Sequence, residues 1–445
     1  MRFSKNIIKT IVIVLSLSSY IVSAQEFSLK QAQDYAIEHY YESVNAGLDI
    51  QKSKAKIWET TAIGLPQISA GGNYRYVPDL EFDFNTGGSA SPADPNNPIF
   101  ALFAADNISQ IKLQGSQLIF DGSYIVGLQA SKKYHEFSKV GKEKTDNDVR
   151  NNVASAYYLV LVADENIKVL NVSFEMLETS IRETKAVVKE GFIDETELDQ
   201  LELMKSDLES SMQSAKQSKD VAIKMLKLNM GMSLSETVNL LDSLKGIVEQ
   251  INMDALLAKN FDVAGNPDLK VMEVQRDLLK LDLKRYKAQR LPTIAGFYSY
   301  QNTAYQLDWD WYKDASWFDQ QNLGLSISIP LISSGKQGAI IKQSKLELTK
   351  MENSLTFAQQ AINLQYLNAQ NNLNTKNQNF QSAGKSLALA NKIYDRTQKK
   401  HKEGLASSFE LSQMKNQVLQ SQGKYIQSLF DLLNSKAELD KLQSI

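Results

Sequence analysis

The sequence predicts a mainly α fold with a small β part, in which long antiparallel helical hairpins accompany four short β-strands. Three observations predict it. The chain repeats itself, its prolines are confined to a few places, and short apolar stretches follow each of two Leu-Pro pairs.

The repeat sets the architecture. Leu65-Pro66-Gln67-Ile68 returns as Leu291-Pro292-Thr293-Ile294, an offset of 226. Lys189-Glu190-Gly191 returns as Lys402-Glu403-Gly404, an offset of 213. From that glycine the match runs on without a gap, Glu197-Leu198-Asp199-Gln200 corresponding to Glu410-Leu411-Ser412-Gln413. Gly122 and Gly335 are also 213 apart. The offsets differ by 13, so one connection between paired strands is longer in the first half. The expected division is a leader at 1–24, a first repeat at 25–235, a connecting segment at 236–265 and a second repeat at 266–445.

The helices follow from the prolines. The eight lie at 66, 78, 92, 95, 98, 267, 292 and 330. Proline breaks helix interiors, so the tracts 122–190 and 335–403 are free to be helical throughout. Each has 69 residues, or about 100 Å of helix at 1.5 Å per residue. The second tract carries a coiled-coil seam. Leu355, Gln359, Ile362, Tyr366, Ala369, Leu373, Lys376, Phe380, Ala383, Leu387, Ala390 and Tyr394 step by four and three. Between them the chain is dense in Asn and Gln, a weakly charged face suited to a wall with water on one side.

Each long helix is expected to end at a glycine in the left-handed conformation, Gly191 or Gly404. The next helix then opens on a capping box, Asp194 to Glu197 or Ser407 to Glu410. The returning helices, near 194–230 and 407–441, are about half as long as the outgoing ones. A helix over 28–61, and another opened by Asn266 and Pro267, supply the missing length.

Strands are predicted at 68–76, around 111–120, at 293–300 and at 323–330, with loops at 77–107 and 301–322. Leu323, Leu325, Ile327 and Ile329 alternate with Gly324, Ser326 and Ser328, a half-buried strand. The second loop holds Tyr305, Trp309, Trp311, Tyr312, Trp317 and Phe318, an aromatic cluster of the kind found at a lipid–water boundary. A ligand-binding loop or packed satellite cluster is the other reading. Asp308, Asp310 and Asp314 lack the spacing of a calcium loop.

Arg2, Lys5 and Lys9, then an apolar core from Ile11, then Val22-Ser23-Ala24, form a secretory signal peptide. Its removal takes the formal net charge from −2 to −5. No later apolar run is long enough for a spanning helix, so entry into a membrane requires a closed barrel. Four strands cannot close one alone, since spanning barrels need at least about eight. Copies must therefore pool their strands. Two copies would give a lumen filled by side chains; three or more would give a pore.

Composition excludes other classes. The 445 residues hold 49 Lys and Arg against 51 Asp and Glu, so no basic field points to nucleic acid. There is no cysteine, and His39, His135 and His401 have no ligand spacing. No phosphate loop, nucleophile elbow or metal-binding His pair marks an enzyme. No metal or cofactor is expected. A secreted coiled-coil scaffold or adhesin without a pore remains the alternative. It explains the helices but not the strand pairs.

The duplicated order of helix, Leu-Pro strand, strand, long helix, glycine turn and returning helix resembles the outer membrane efflux protein (TolC-like) family. The tips, Gly191-Phe192-Ile193 with Glu197 and Gly404-Leu405-Ala406-Ser407 with Glu410, carry the most specific part. The resemblance implies a homotrimer with a 12-stranded barrel in the outer membrane and a coiled-coil α-barrel in the periplasm. It implies an exit duct of a tripartite efflux or type I secretion system. The tips would dock on a periplasmic adaptor protein, joined to an inner-membrane pump. It also implies an aperture ringed by Glu410. A further acid found in some members is Gln413 here, which weakens any cation preference at the mouth.

Overall fold

The computed structural model describes residues 25–77, 105–191, 194–249, 251–258, 261–306 and 317–443. The expected leader at 1–24 and most of the first strand loop lie outside them. In chain order the elements are β1 (Gln25–Phe27), α1 (Leu29–His39), α2 (Tyr41–Ile63), β2 (Gln67–Tyr76), β3 (Asn107–Asp121), α3 (Gly122–Lys189) and α4 (Glu195–Met230). Then follow β4 (Val238–Leu240), α5 (Leu244–Glu249), α6 (Met253–Ala258), a 3-10 turn (Val263–Gly265), α7 (Pro267–Ala288), β5 (Thr293–Gln306), β6 (Trp317–Ser328), α8 (Lys336–Lys402) and α9 (Ser408–Gln443).

The long tracts are single helices, α3 of 68 residues and α8 of 67. Their returning partners α4 and α9 have 36 residues each. The seam of α8 is buried at Leu355, Ile362, Tyr366, Ala369, Leu373, Ala390 and Tyr394. Gln359 alone among its twelve positions is exposed. Asn266 caps α7, its side-chain oxygen accepting from the N–H groups of Asp268 and Leu269. Pro267 then stands where a missing N–H costs nothing.

Contacts divide the chain into two compact units, each built from both repeats. One takes Met1–Leu48, Val140–Lys270 and Phe357–Ile445; the other takes Asp49–Lys139 and Val271–Thr356.

The first unit holds the largest apolar core, with Tyr157, Leu226, Met230 and Leu433 fully buried. A two-stranded parallel pair, β1 with β4, borders it. Asp242, just past β4, accepts the Leu29 N–H at 2.7 Å. The Tyr157 hydroxyl lies 2.8 Å from the Phe27 carbonyl oxygen and 2.9 Å from the Asp242 carboxylate. Burial first, and that carboxylate second, push the Tyr157 hydroxyl far above its usual pKa. Thus one buried side chain ties α3 to β1 and to the segment after β4.

Two features differ from expectation. The helix expected over 28–61 is two helices, because Tyr40 is extended at ψ 132. There the turn at Gly231 presses on the chain; a Cβ on Gly231 would lie 2.4 Å from the His39 carbonyl oxygen. The β1–β4 pair was also unanticipated. Each strand has three residues, too few for a period-2 pattern to register.

The second unit holds the four-stranded sheet, order β2-β3-β5-β6, all antiparallel. The two expected hairpins are thus joined through β3 and β5. Asp121 ends β3 and starts α3, accepting from the N–H groups of Ser123 and Tyr124.

Candidate functional site: an amphipathic sheet and two helical tips

In an antiparallel ladder, directly opposed residues share a face. One row across the sheet is Ile68, Gly115, Tyr298, Leu323; the next is Ser69, Gln114, Ser299, Asn322. Then come Ala70, Leu113, Tyr300, Gln321, followed by Gly71, Lys112, Gln301, Gln320. Over these rows the sheet has one mainly apolar face and one polar face; further along, the apolar side also carries Asn302 and Asp319, in the row Gly72, Ile111, Asn302, Asp319. The apolar face is bare. Leu323 is 84% exposed, Leu325 67% and Ile327 61%. Each such side chain gains roughly 1.5–3 kcal/mol on full transfer to an apolar medium.

The edges are also open, since β2 pairs only with β3, and β6 only with β5. With four alternating strands, the two edges run in opposite directions. A β6 edge meeting the β2 edge of another copy therefore continues the antiparallel pattern around a ring. The strands have 10, 15, 14 and 12 residues, long enough for a tilted strand to cross the hydrocarbon layer. No described helix is long and apolar enough to do so. On Gly324 a Cβ would sit 2.9 Å from the Phe297 ring, so glycine lets that ring lie flat across β6 on the polar face.

Both β5 and β6 run further into the expected loop than the sequence indicated, so Tyr305, Trp317 and Phe318 are strand residues. They do not share a face. Trp317 stands in the row Tyr74, Ser109, Ala304, Trp317, on the apolar side. Tyr305 and Phe318 lie on the polar side, their rings tilted with centroids 6.1 Å apart. Period-2 alternation separates them, so Trp317 shares its face with Tyr74 and Tyr76, which the sequence reading passed over, while Tyr305 and Phe318 take the other. Trp309, Trp311 and Tyr312 lie outside the described residues.

The helical tips belong to the first unit. Gly191 and Gly404 adopt φ +77 and +72, the left-handed region that favours glycine. At the second tip the Leu405 N–H reaches the Lys400 carbonyl and the Gly404 N–H reaches that of His401. This is a Schellman closure. Ser407 and Glu410 form the expected capping box: the Glu410 N–H donates to Ser407 Oγ at 3.1 Å, and the Ser407 N–H to Glu410 Oε2 at 3.3 Å. The first tip is capped differently. Asp194 accepts from the N–H of Thr196 at 2.7 Å and from its hydroxyl, so its side chain serves Thr196 rather than Glu197. Phe192 and Ile193 lie outside the described residues.

A cleft of about 830 Å³ is lined by Glu183, Glu197, His401, Ala406, Glu410 and neighbours. His401 Nδ1 is 2.9 Å from the Ala406 carbonyl oxygen, tying the last turn of α8 across its own tip. Glu410 and Gln413 are exposed. So is the apolar Leu405, at 72%, and so is Phe409, which sequence reading missed beside the more conspicuous Glu410. Behind the tip, Lys415 is buried on the Tyr394 ring at 5.1 Å. Desolvation holds its ammonium below the ordinary lysine pKa. No group of His, Asp and Glu among the described residues has metal-binding geometry.

A bare apolar face, a polar opposite face and two open edges form the arrangement that a membrane barrel pooled from several copies would need. Residues 263–443 match the model of the outer membrane efflux protein family. The chain is 22% identical over 373 residues to outer membrane protein TolC of Salmonella enteritidis, covering 82% of this chain and 71% of that one. It shares its fold with CusC (TM-score 0.74, 14% identity, 94% of this chain and 92% of that one). It shares it also with the Campylobacter jejuni outer membrane channel CmeC (TM-score 0.71, 16% identity, 94% and 85%). The open-state outer membrane channel MtrE of Neisseria gonorrhoeae is similar in the same way (TM-score 0.70, 16% identity, 94% and 88%). Over residues 263–443 the chain thus matches the outer membrane efflux protein model, and its fold is that of the solved TolC-like channels.

Proposed function

We propose that the protein is an outer-membrane exit duct, passively conducting solutes from a periplasmic adaptor and inner-membrane pump to the outside. The observation that carries this is the sheet. It combines a bare apolar face, a polar opposite face and two open edges whose directions fit head-to-tail closure. Such edges are stable in lipid only when paired. Three copies give twelve strands and a water-filled lumen; two copies leave no pore. A homotrimer therefore suits conduction. The polar rows face the lumen, the apolar rows face outer-membrane lipid, and Trp317, Tyr74 and Tyr76 sit at one boundary.

The tips supply the contact with the adaptor. Gly191 and Gly404 make the turns tight, and Leu405 and Phe409 present apolar side chains to a partner. Glu197, Ala406 and Ser407 belong to the same surface, and Phe192 and Ile193 follow Gly191 in the sequence. Glu410 and Gln413 border the periplasmic aperture. Three-fold repetition gathers three Glu410 carboxylates, which favours cations there.

The test is conductance of the detergent-purified oligomer in planar bilayers. Wild type should form steady channels, and Glu410→Ala should change conductance or lower cation preference. A protein that washes off membranes in alkaline buffer and forms no channel would instead be the coiled-coil scaffold. Unchanged conductance and selectivity would remove Glu410 from the aperture.

A further inference from the structure

The exposed surface of α8 carries a feature that duct function does not require. From Asn353 to Gly384 the helix runs 32 residues, with fourteen Asn or Gln and one charged residue, Lys376. That lysine is bound to Asp431 at 2.8 Å. At 1.5 Å per residue the stretch is about 48 Å of helix without a free charge. Twelve of the fourteen amides are exposed and two are half-buried.

Helical geometry orders them. The buried seam centred on Leu373 marks one edge, and the exposed Phe357 and Leu364 lie on the opposite edge. Asn363, Asn374 and Gln381 fall on one flank between these edges, and Gln365, Asn372 and Asn379 on the other. Both flanks are therefore uncharged, whichever one turns inward. The matching tract of the first repeat, residues 140–171 of α3, has nine charged residues. Eight of them stand in ion pairs. The amide surface is thus particular to α8.

We propose that this strip is a sign-blind contact surface for the exported solute. Fixed charge along a narrow passage focuses field and sorts solutes by sign. An amide offers both donors and acceptors without a net charge. The strip accordingly takes neutral, zwitterionic and ionised hydrogen-bonding small molecules alike, so along this stretch size is the selecting property and any preference for cations belongs to the aperture at Glu410. This rests on the duct reading above.

The absence of native cysteine makes the test direct. Asn374→Cys and Asn372→Cys place one thiol on each flank of the full-length oligomer in planar bilayers. Modification at one flank should reduce conductance, with cationic and anionic methanethiosulfonates of similar size reacting within about threefold of each other. A rate ratio above about tenfold for one sign, or no effect at either flank in channels that conduct, would overturn the proposal. Absence of channels in the unmodified protein would sink the duct reading itself, and the strip with it.

Discussion

The two long helices have the same buried register and opposite surface chemistry. At the offset of 213, Val149 matches Ile362, Val153 matches Tyr366, Ala156 matches Ala369 and Val160 matches Leu373. All eight are buried. Around that shared seam α3 carries paired charges and α8 carries amides. Duplication has kept the positions that pack, where a change of volume is felt by every neighbour. The surface, with fewer neighbours to satisfy, was free to diverge toward different tasks. In α3 the ion pairs reach other elements: Asp148 to Lys441 in α9 at 2.7 Å, and Lys144 to Asp268 in α7 at 3.1 Å. In α8 the amides reach mostly into solvent.

If the seam is what the duplication preserves, the largest losses come from truncating it. Leu373→Ala removes a fully buried side chain from a cluster with Tyr366, Leu432 and Leu439. The expected cost is about 2–5 kcal/mol. Val160→Ala at the matching position loses one carbon fewer, so it should cost less by about 0.8 kcal/mol. Thermal or denaturant unfolding of the purified protein measures both. A cost for Leu373→Ala below that of Val160→Ala would break the equivalence of the two seams.

The next effect is confined to the first repeat. Tyr157 corresponds to Gln370 in α8, and only Tyr157 bonds to β1 and Asp242. Tyr157→Phe keeps the ring but deprives the Phe27 carbonyl and the Asp242 carboxylate of a buried donor. The expected cost is about 1–3 kcal/mol. It should be accompanied by faster proteolysis near the N-terminal strand β1. Stability equal to wild type would show that the hydroxyl is dispensable to the β1–β4 pair.

Much of this was legible in the sequence because it rests on local rules. Proline placement fixed where helices could run, the four-three spacing named the α8 seam, and the tip glycines announced their positive φ. The fold's closures were not legible. The pairing of β3 with β5 joins segments about 190 residues apart, and no periodicity encodes a partner strand. The break at Tyr40 packs against the distant Gly231 turn. At the tips the turn glycines and the Ser407–Glu410 box could be located to the residue, but the face each aromatic takes could not. Composition marks a cluster, while strand register decides which of Trp317 and Phe318 lies on the apolar face.

The smallest effect follows from protonation. Burial alone would raise the carboxyls of Asp148 and Asp164, but Lys144 and Lys441 at the first, and Lys219 and Lys168 at the second, outweigh it. Both carboxyls are held below the ordinary range. A carboxyl with a depressed folded-state pKa contributes stability that is present above its unfolded value, about 3.9. That contribution is lost as pH falls through the folded value. The pairs are partly exposed, so each contributes on the order of 1 kcal/mol or less. In the 353–384 tract, Lys376–Asp431 is the one ion pair among the described residues, and the matching α3 tract has several. Between about pH 4 and pH 2, hydrogen exchange corrected for intrinsic rate should therefore rise more across residues 140–171 than across residues 353–384. Equal loss of protection in the two tracts would mean that the charges of α3 do not hold it to α7 and α9, and that the chemical contrast between the repeats has no bearing on stability.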